Sequence, residues 1–418
     1  MGETRTISGT LMLQDGRGGV RLTPGTLHLA DGVIQRVSEG IIDPRPDHGG
    51  EQSIIMPGFV DAHMHLPQFD SIGIDGFTLL DWLERAIFPA ECAWEDPDVA
   101  GEVATRAAQS LLSFGTTSVC AYGTVHHDGT KASIEAVAAA GMRAMVGQVL
   151  MDRNAPPELC RGAVQLVREA VSLTEWTRGF AASRGARIEH SINPRFAISC
   201  TPELLSGAGE AVQRLHAPMQ THVSESTGEC EVIARFFDGR SYVGVYQDAG
   251  LLGPRSILAH GVWLDEAERS TLAATHSMIA HCPTANMFLQ SGDCDLGALG
   301  RSGVRLAVGS DIAGGNERSM VRVARAMIET SKRVAASTGK GGVIAAGRAW
   351  WMITSGNADA IGWKRTSRLE PGAEADVLVV TPDVRWQEAV DPLGTLLYAW
   401  DDRWIEQTLV AGMAVTRR

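Results

Sequence analysis

Short apolar runs alternate with amphipathic stretches through the middle of the chain. Helical patterns, such as those at 98–114 and 202–216, separate many of these runs, which have the length of buried strands. The eight candidate strands are FVDAHMH (59–65), TTSVCA (116–121), RAMVGQVL (143–150), RIEHSIN (187–193), PMQTHV (218–223), SILAH (256–260), SMIAH (277–281) and VRLAVGSD (304–311). Eight strands with crossovers predict an α/β fold, a (β/α)8 TIM barrel. A doubly wound sheet is the alternative, but it usually has fewer strands, and no GxGxxG motif follows the first strand here.

The two ends of the chain have a different pattern, with short alternating segments broken by DG and GG turns. These segments are TISGTLMLQD (6–15) and GVIQRV (32–37) near the start, and ADVLVVTP (375–382) and QTLVAGMAVT (407–416) near the end. Their pattern predicts small antiparallel strands. We therefore expect one small discontinuous β-sandwich domain, formed by residues 1–56 and 366–418, beside a (β/α)8 barrel formed by residues 57–365.

Composition narrows the classes of partner. The chain is 44% hydrophobic and 21% charged, with a formal net charge of -12, which argues against nucleic acid because phosphate binding needs clustered Lys and Arg. No apolar run approaches the roughly 20 residues of a membrane helix, so we expect no membrane partner. The 7 cysteines include no CxxC pair, and the first residues resemble no signal peptide. These features predict a soluble cytoplasmic protein with reduced thiols.

Four histidines and one aspartate are predicted to close strands of the barrel. His63 and His65 end the first strand, while His222, His260 and Asp311 end the fifth, sixth and eighth. The carboxyl ends of barrel strands share one face, and residues two apart on a strand point to the same side. Imidazoles with one carboxylate suit Zn²⁺ or Fe²⁺ and leave a position for water, whose pKa the ion lowers from about 16 to about 7. Five such residues at matching strand ends predict a metal site.

Two more polar residues follow the same strands. Glu225 lies three residues after His222 in THVSE, where a carboxylate can reach both a metal-held water and a substrate. The alternative for Glu225 is a solvent-exposed loop position. His281 ends the seventh strand, where it can bind the attacking water or the tetrahedral intermediate, or merely orient a loop.

Absent motifs limit the metal count. Two-metal barrels of this kind commonly bridge their ions with a carboxylated lysine at the end of the fourth strand. None of the lysines, at positions 131, 332, 340 and 364, lies near that strand end, so we expect one ion. The HxE and PCxxC motifs of small zinc deaminases are also absent, which excludes that fold.

The motifs HMH, THVSE, AHG, AHCP and GSDIAGG together resemble the amidohydrolase superfamily. Within it, the stretches PGFVDAHMHLPQF, LLDWLERAIFPAE, NPRFAISCT, THVSESTGECEV, AHCPTANMFLQSG and GSDIAGGNERSM resemble the guanine deaminase family. The likeness extends over nearly the whole chain from Pro57 onward. The loops at 121–129 and 316–318 depart from the family pattern, so the fine substrate preference is open.

The resemblance implies hydrolysis of guanine to xanthine and ammonia, one Zn²⁺ with Fe²⁺ as the alternative, and a homodimer. It implies that Gln68 and Arg195 bind the purine, whose O6 and N7 are acceptors and whose N1 is a donor. Phe196 and Trp82 are candidate walls for the ring, with ordinary core aromatics as the alternative.

The expected mechanism uses a metal-activated water that attacks C2. Asp311 accepts the proton of this water, Glu225 protonates ring N3 and then the departing amine, and His281 steadies the oxyanion. One alternative is a related mononuclear enzyme for another heteroaromatic amine, such as a pterin, 8-oxoguanine, isocytosine or an aminotriazine. The other is a non-catalytic scaffold, which should have lost some of these residues.

Overall fold

The computed structural model describes residues 4–77, 79–339 and 341–415, which contain an eight-stranded sheet and a seven-stranded sheet. Residues 1–3 and 416–418 of the predicted small domain lie outside the described residues. The strands are β1 Arg5–Gln14, β2 Val20–Ala30, β3 Val33–Glu39, β4 His48–Pro57, β5 Phe59–His65, β6 Thr116–Tyr122, β7 Arg143–Leu150, β8 Ile188–Pro194, β9 Met219–Val223, β10 Ser256–His260, β11 Met278–His281, β12 Arg305–Val308, β13 Val377–Val380, β14 Ile405–Val410 and β15 Met413–Val415.

The eight-stranded sheet is the predicted barrel. Its strands follow one another in chain order from β5 to β12, and every neighbouring pair is parallel. Helices lie between successive strands, as the crossovers of a (β/α)8 barrel require. The prediction of eight strands is confirmed, with β5, β7 and β10 at the predicted bounds.

One predicted strand end is wrong. Strand β12 stops at Val308, three residues before Asp311, which the sequence pattern had placed at the strand end. Asp311 has φ 52, a left-handed backbone conformation that an extended strand cannot contain. The segment after β12 turns instead toward β5, where Asp311 N donates to His63 O at 2.8 Å and His65 N donates to Ile312 O at 2.8 Å. These bonds link the last strand of the barrel to the first and bring Asp311 beside the histidines.

The helices are α1 Leu79–Trp82, α2 Phe88–Cys92, α3 Pro97–Ser113, α4 His127–Ala139, α5 Ala163–Arg184, α6 Pro202–Leu215, α7 Thr227–Phe236, α8 Tyr242–Asp248, α9 Glu266–Ala274, α10 Pro283–Phe288, α11 Leu296–Arg301, α12 Met320–Thr338, α13 Ala346–Trp351, α14 Asn357–Ile361 and α15 Pro392–Ala399. Asn357 on α14 joins β5 to β12, because its amide nitrogen donates to Val60 O at 2.8 Å and Val308 O at 2.7 Å. None of the described helices has both the length and the apolar character needed to span a bilayer.

The seven-stranded sheet comes from both ends of the chain, as predicted, in the order β15-β14-β13-β4-β1-β2-β3. Most pairs are antiparallel, but β1 and β4 are parallel, which the sequence pattern did not predict. The sheet is curved, so that the start of β3 lies beside the segment before β13. Ile34 N donates to Ala373 O at 2.8 Å, and Ala375 N donates to the O of Gly32, just before β3, at 2.9 Å. The curved sheet encloses its own apolar core, which includes Ile7, Leu11, Leu27, Ile34 and Leu409. The division into domains at residues 57 and 365 stays a prediction.

Candidate active site

Three histidines and one aspartate meet at the mouth of the barrel. The ligand atoms of His63, His65, His222 and Asp311 all lie within 4.8 Å of one another. The Nε2 atoms of His65 and His222 are 3.1 Å apart, and Asp311 Oδ1 lies 3.3 Å from His63 Nε2 and 3.5 Å from His65 Nε2. Four potential ligands from β5, β9 and the loop after β12 therefore converge on one point.

His260, at the end of β10, lies beside this group. Its Nε2 is 3.8 Å from Asp311 Oδ2 and 3.4 Å from Glu225 Oε2. A second group within 4.8 Å contains His260, Asp311 and Cys282, a residue that the sequence analysis did not consider. The Cys282 thiol is buried and donates to Ala280 O, and burial raises its pKa well above the ordinary value. Because the thiolate is the metal-binding form, Cys282 is a weaker candidate ligand than the imidazoles.

In His222 and His260, the ring nitrogen that points away from the group makes a hydrogen bond that orients the ring. His222 Nδ1 donates to Arg195 O at 2.5 Å, and His260 Nδ1 donates to Asn286 Oδ1 at 2.9 Å. Each bond leaves Nε2 as the acceptor atom, directed toward the group. Burial also lowers the pKa of His63, His65 and His222 well below the ordinary value, which favours the neutral form that binds metal.

The residues therefore fit a divalent cation. The Nδ1 atom of His65 and both ring nitrogens of His63 have no hydrogen-bond partner among the described residues. Acceptor nitrogens and carboxylate oxygens so close together repel one another unless a cation lies between them. The described side chains can thus hold a metal ion, with N and O ligands of the kind that zinc and ferrous iron accept.

Backbone geometry also distinguishes this site. His260 has φ 73 and Asp311 has φ 52, left-handed values that few residues other than glycine adopt. Asp61, which is buried two residues before His63, accepts hydrogen bonds from the backbone N of His63 at 3.2 Å and of Ser310 at 2.9 Å. The sequence analysis missed Asp61, although its place in the DAHMH motif was the available signal. Asp61 ties the first strand to the loop that carries Asp311.

Glu225 lies at the edge of the histidine group and is buried. Burial, and next the charge of Asp311, raise the pKa of Glu225 to about 8. Its Oε1 accepts a hydrogen bond from Ser291 Oγ at 2.8 Å, and its backbone N donates to Glu229 Oε2 at 2.9 Å. The sequence analysis missed Ser291 and Glu229, for which no local motif pointed to a role. A carboxyl group with a raised pKa keeps its proton near neutral pH, as a proton donor must.

His281 ends β11, as predicted, but it is not among the described residues that line the cleft. Its side chain is buried, and burial lowers its pKa to about 3. Neither ring nitrogen has a hydrogen-bond partner in the described part of the chain. The neutral ring keeps one N–H that is free to donate.

The cleft beside the histidine group also contains the predicted substrate residues. Gln68, Trp82, Arg195 and Phe196 line it together with His65, His222, Glu225, His260 and Asp311. Three leucines that the sequence analysis did not select, Leu79, Leu83 and Leu289, complete the apolar part of the wall. One cleft thus joins a group of metal-ligand residues to a polar and aromatic end.

A buried carboxylate, Glu91, lies behind this second end. Gln68 Nε2 donates to Glu91 Oε1 at 3.0 Å, and Arg195 Nη1 donates to both carboxylate oxygens at 2.5 Å. Glu91 and Arg195 are only 1% and 3% exposed. Glu91 ends the FPAE stretch of the family-like segment, but no local pattern pointed to its role.

Comparisons with known proteins agree on one family. The amidohydrolase family model matches residues 54–415. Guanine deaminase of Escherichia coli is 33% identical over 382 residues, covering 87% of this chain and 83% of the relative. Guanine deaminase of Rattus norvegicus is 32% identical over 377 residues, covering 86% and 82%. Among solved structures, guanine deaminase from C. acetobutylicum with bound guanine in the active site has a TM-score of 0.91 at 26% identity, covering 99% of this chain and 100% of that one.

Proposed function

The chain belongs to the amidohydrolase family, and from this premise we propose that it deaminates guanine by hydrolysis, giving xanthine and ammonia. The observation that carries the proposal is the cleft itself. It combines a group of metal ligands and a buried acid with Gln68 and Arg195, which can bind a purine edge. The relatives named guanine deaminase match most of the chain and support this choice of substrate.

The proposed cofactor is one Zn²⁺ ion, with Fe²⁺ as the alternative. The residues that would hold it are His63, His65, His222, His260 and Asp311. When bound, such an ion supplies a nucleophilic water at neutral pH by lowering the pKa of that water to about 7.

The proposed reaction uses two side chains that transfer protons and one that donates a hydrogen bond. Asp311 accepts the proton of the attacking water, since its carboxylate lies among the histidines. Glu225 gives its proton to ring N3, a role that suits its raised pKa of about 8. It then receives the proton held by Asp311 and passes it to the departing amine, and the hydroxyl proton of the tetrahedral intermediate returns to Glu225 as the C2 carbonyl forms. For His281 we propose donation of its unpartnered N–H to the oxyanion that forms at C2, which requires the ring to shift toward the cleft, because it is not among the described residues that line it.

The proposed recognition of guanine uses the other end of the cleft. Arg195 donates to the O6 and N7 acceptors, and the Gln68 amide binds the N1 edge. Trp82 and Phe196 contact the faces of the ring, and their burial at 2% and 6% exposure suits a wall that excludes water. A homodimer is proposed from the family likeness alone, and light scattering of the purified protein tests it.

The test measures ammonia release by the purified, zinc-loaded protein. The substrates are guanine, 8-oxoguanine, a pterin, isocytosine, an aminotriazine, adenine and cytosine, with ultraviolet spectra to identify the product. Guanine is expected to turn over well ahead of the others and to give xanthine. If guanine is inert while another amine is hydrolysed, the proposed substrate is wrong and the metal chemistry stands. A zinc-loaded protein that hydrolyses none of them would contradict the proposed reaction.

A further inference from the structure

The buried carboxylate of Glu91 has no role in the proton transfers proposed above. It lies on α2, outside the lining of the cleft, yet it binds the two polar side chains that the proposed function assigns to the purine. Burying a carboxylate costs free energy unless it is paired. Here both partners belong to the end of the cleft that contains Gln68, Trp82, Arg195 and Phe196, which we call the recognition end.

For Gln68, the contacts permit one orientation of the side-chain amide. A carboxylate only accepts hydrogen bonds, so the amide nitrogen must face Glu91, at 3.0 Å. A backbone N–H only donates, so the amide oxygen must face Ala313 N, at 3.4 Å. Without Glu91 the amide could rotate by 180° and exchange its donor and acceptor. Glu91 thus determines which atom of Gln68 a ligand meets.

For Arg195, the contacts divide the guanidinium into two parts. Nη1 is held by both oxygens of Glu91 at 2.5 Å, whereas Nε and Nη2 make no hydrogen bond to any described residue. The ring of Phe88 lies beneath the guanidinium, 5.6 Å from its central carbon. The remaining N–H groups are therefore held in a fixed direction, free to donate to acceptors of a ligand.

The Glu91 charge also balances that of Arg195. A buried, unpaired guanidinium would favour an anionic ligand, whereas the paired guanidinium keeps its hydrogen-bond geometry with little net charge. This arrangement suits a neutral heterocycle that presents a carbonyl oxygen and a ring nitrogen as acceptors.

We propose that Glu91 is a positioning residue that holds the Gln68 amide and the Arg195 guanidinium in the one arrangement that selects a neutral purine with a carbonyl group at C6. The inference rests on the proposed function, because it concerns the same cleft. Glu91 does not line the cleft, and among the described residues its side-chain hydrogen bonds reach only Gln68 and Arg195. Its effect is therefore expected in recognition and selectivity rather than in the chemical step.

The test is the Glu91→Gln variant, assayed as the zinc-loaded enzyme with guanine and with 2-aminopurine, which keeps the C2 amine but lacks the C6 carbonyl. We expect KM for guanine to rise about 10-fold to 100-fold, the range for losing a charged hydrogen-bond partner, with kcat changed less than about 3-fold. The preference for guanine over 2-aminopurine should fall by about 5-fold or more, because Arg195 no longer holds its donors toward O6. A purely structural role would not change this selectivity.

Glu95→Gln is the matched control, because Glu95 is an exposed glutamate four residues along the same segment. It should keep the wild-type KM and selectivity. If Glu91→Gln keeps both as well, the proposal is overturned. If Glu91→Gln does not fold, Glu91→Asp takes its place, because it retains the charge but shortens the side chain by one methylene. Wild-type KM and selectivity in Glu91→Asp would also overturn the proposal. Failure of the proposed function is distinct, because the wild-type enzyme would then not deaminate guanine.

Discussion

The two ends of the cleft are built from different parts of the fold. At the metal end, His65, His222 and His260 stand at the ends of barrel strands. At the recognition end, Gln68, Trp82 and Glu91 come from the single connection between β5 and β6, and Arg195 follows β8. Strand ends are held by the backbone hydrogen bonds of the sheet, whereas a connection can change its sequence without moving them. The comparison indicates that substrate preference can evolve in this fold while the metal group stays constant.

The two ends also differ in how they balance charge. Burial lowers the pKa of His63, His65 and His222 well below the ordinary value, so these rings are neutral and their nitrogens are available to a cation. The recognition end already contains a buried ion pair between Arg195 and Glu91 at 2.5 Å. Changes at the metal end should therefore abolish the chemistry, and changes at the recognition end should shift KM and selectivity.

Metal removal should have the largest effect. Dialysis of the protein against a strong chelator is expected to lower guanine turnover by about 10³-fold or more, because activation of the water contributes several kcal/mol. Readdition of Zn²⁺ should restore turnover, and elemental analysis follows the metal content. Full activity in a sample shown to contain no metal would contradict the assignment of His63, His65, His222 and Asp311 as ligands.

Loss of the buried acid should come next. Glu225→Gln keeps the size of the side chain but removes the proton donor, so kcat should fall by about 10² to 10⁴. Steady-state assays with matched metal content measure this effect. The control is Glu231→Gln, an exposed position on α7 that should behave as wild type. A folded, metal-loaded Glu225→Gln enzyme with normal kcat removes Glu225 from the mechanism.

The bond behind His260 should have an intermediate effect. Asn286→Ala removes the acceptor for His260 Nδ1, so the ring can turn and metal affinity should fall by about 10-fold to 100-fold. Competition with a chromogenic chelator measures this affinity. Gln247→Ala, which alters an exposed amide, serves as the control. Unchanged affinity in Asn286→Ala would show that this bond does not orient the ligand.

The smallest effect is expected at the recognition end. Gln68→Ala removes a neutral amide that contacts Glu91 and lines the cleft, so kcat/KM for guanine should fall about 3-fold to 10-fold. Metal affinity should not change, and parallel chelator titrations check this. A loss of metal in Gln68→Ala would mean that the two ends of the cleft are coupled rather than independent.

The sequence by itself determined the barrel and most of the candidate site. The periodicity of a strand is a local property of the sequence, and the strand ends of a parallel barrel meet on one face. The proximity of His63, His65, His222 and His260 could therefore be predicted from the sequence. The same rule misplaced the end of β12, because the turn that carries Asp311 is set by hydrogen bonds to β5 rather than by its own residues.

Only the tertiary structure decided which side chains support the site. Glu91 lies 23 residues from Gln68 and 104 from Arg195, and Ser291 lies 66 residues from Glu225. A glutamate or serine in a helix or loop has the same local pattern whether it faces solvent or a buried partner. The crossovers of the barrel bring these partners together, so their roles depend on contacts that no local stretch of the chain encodes.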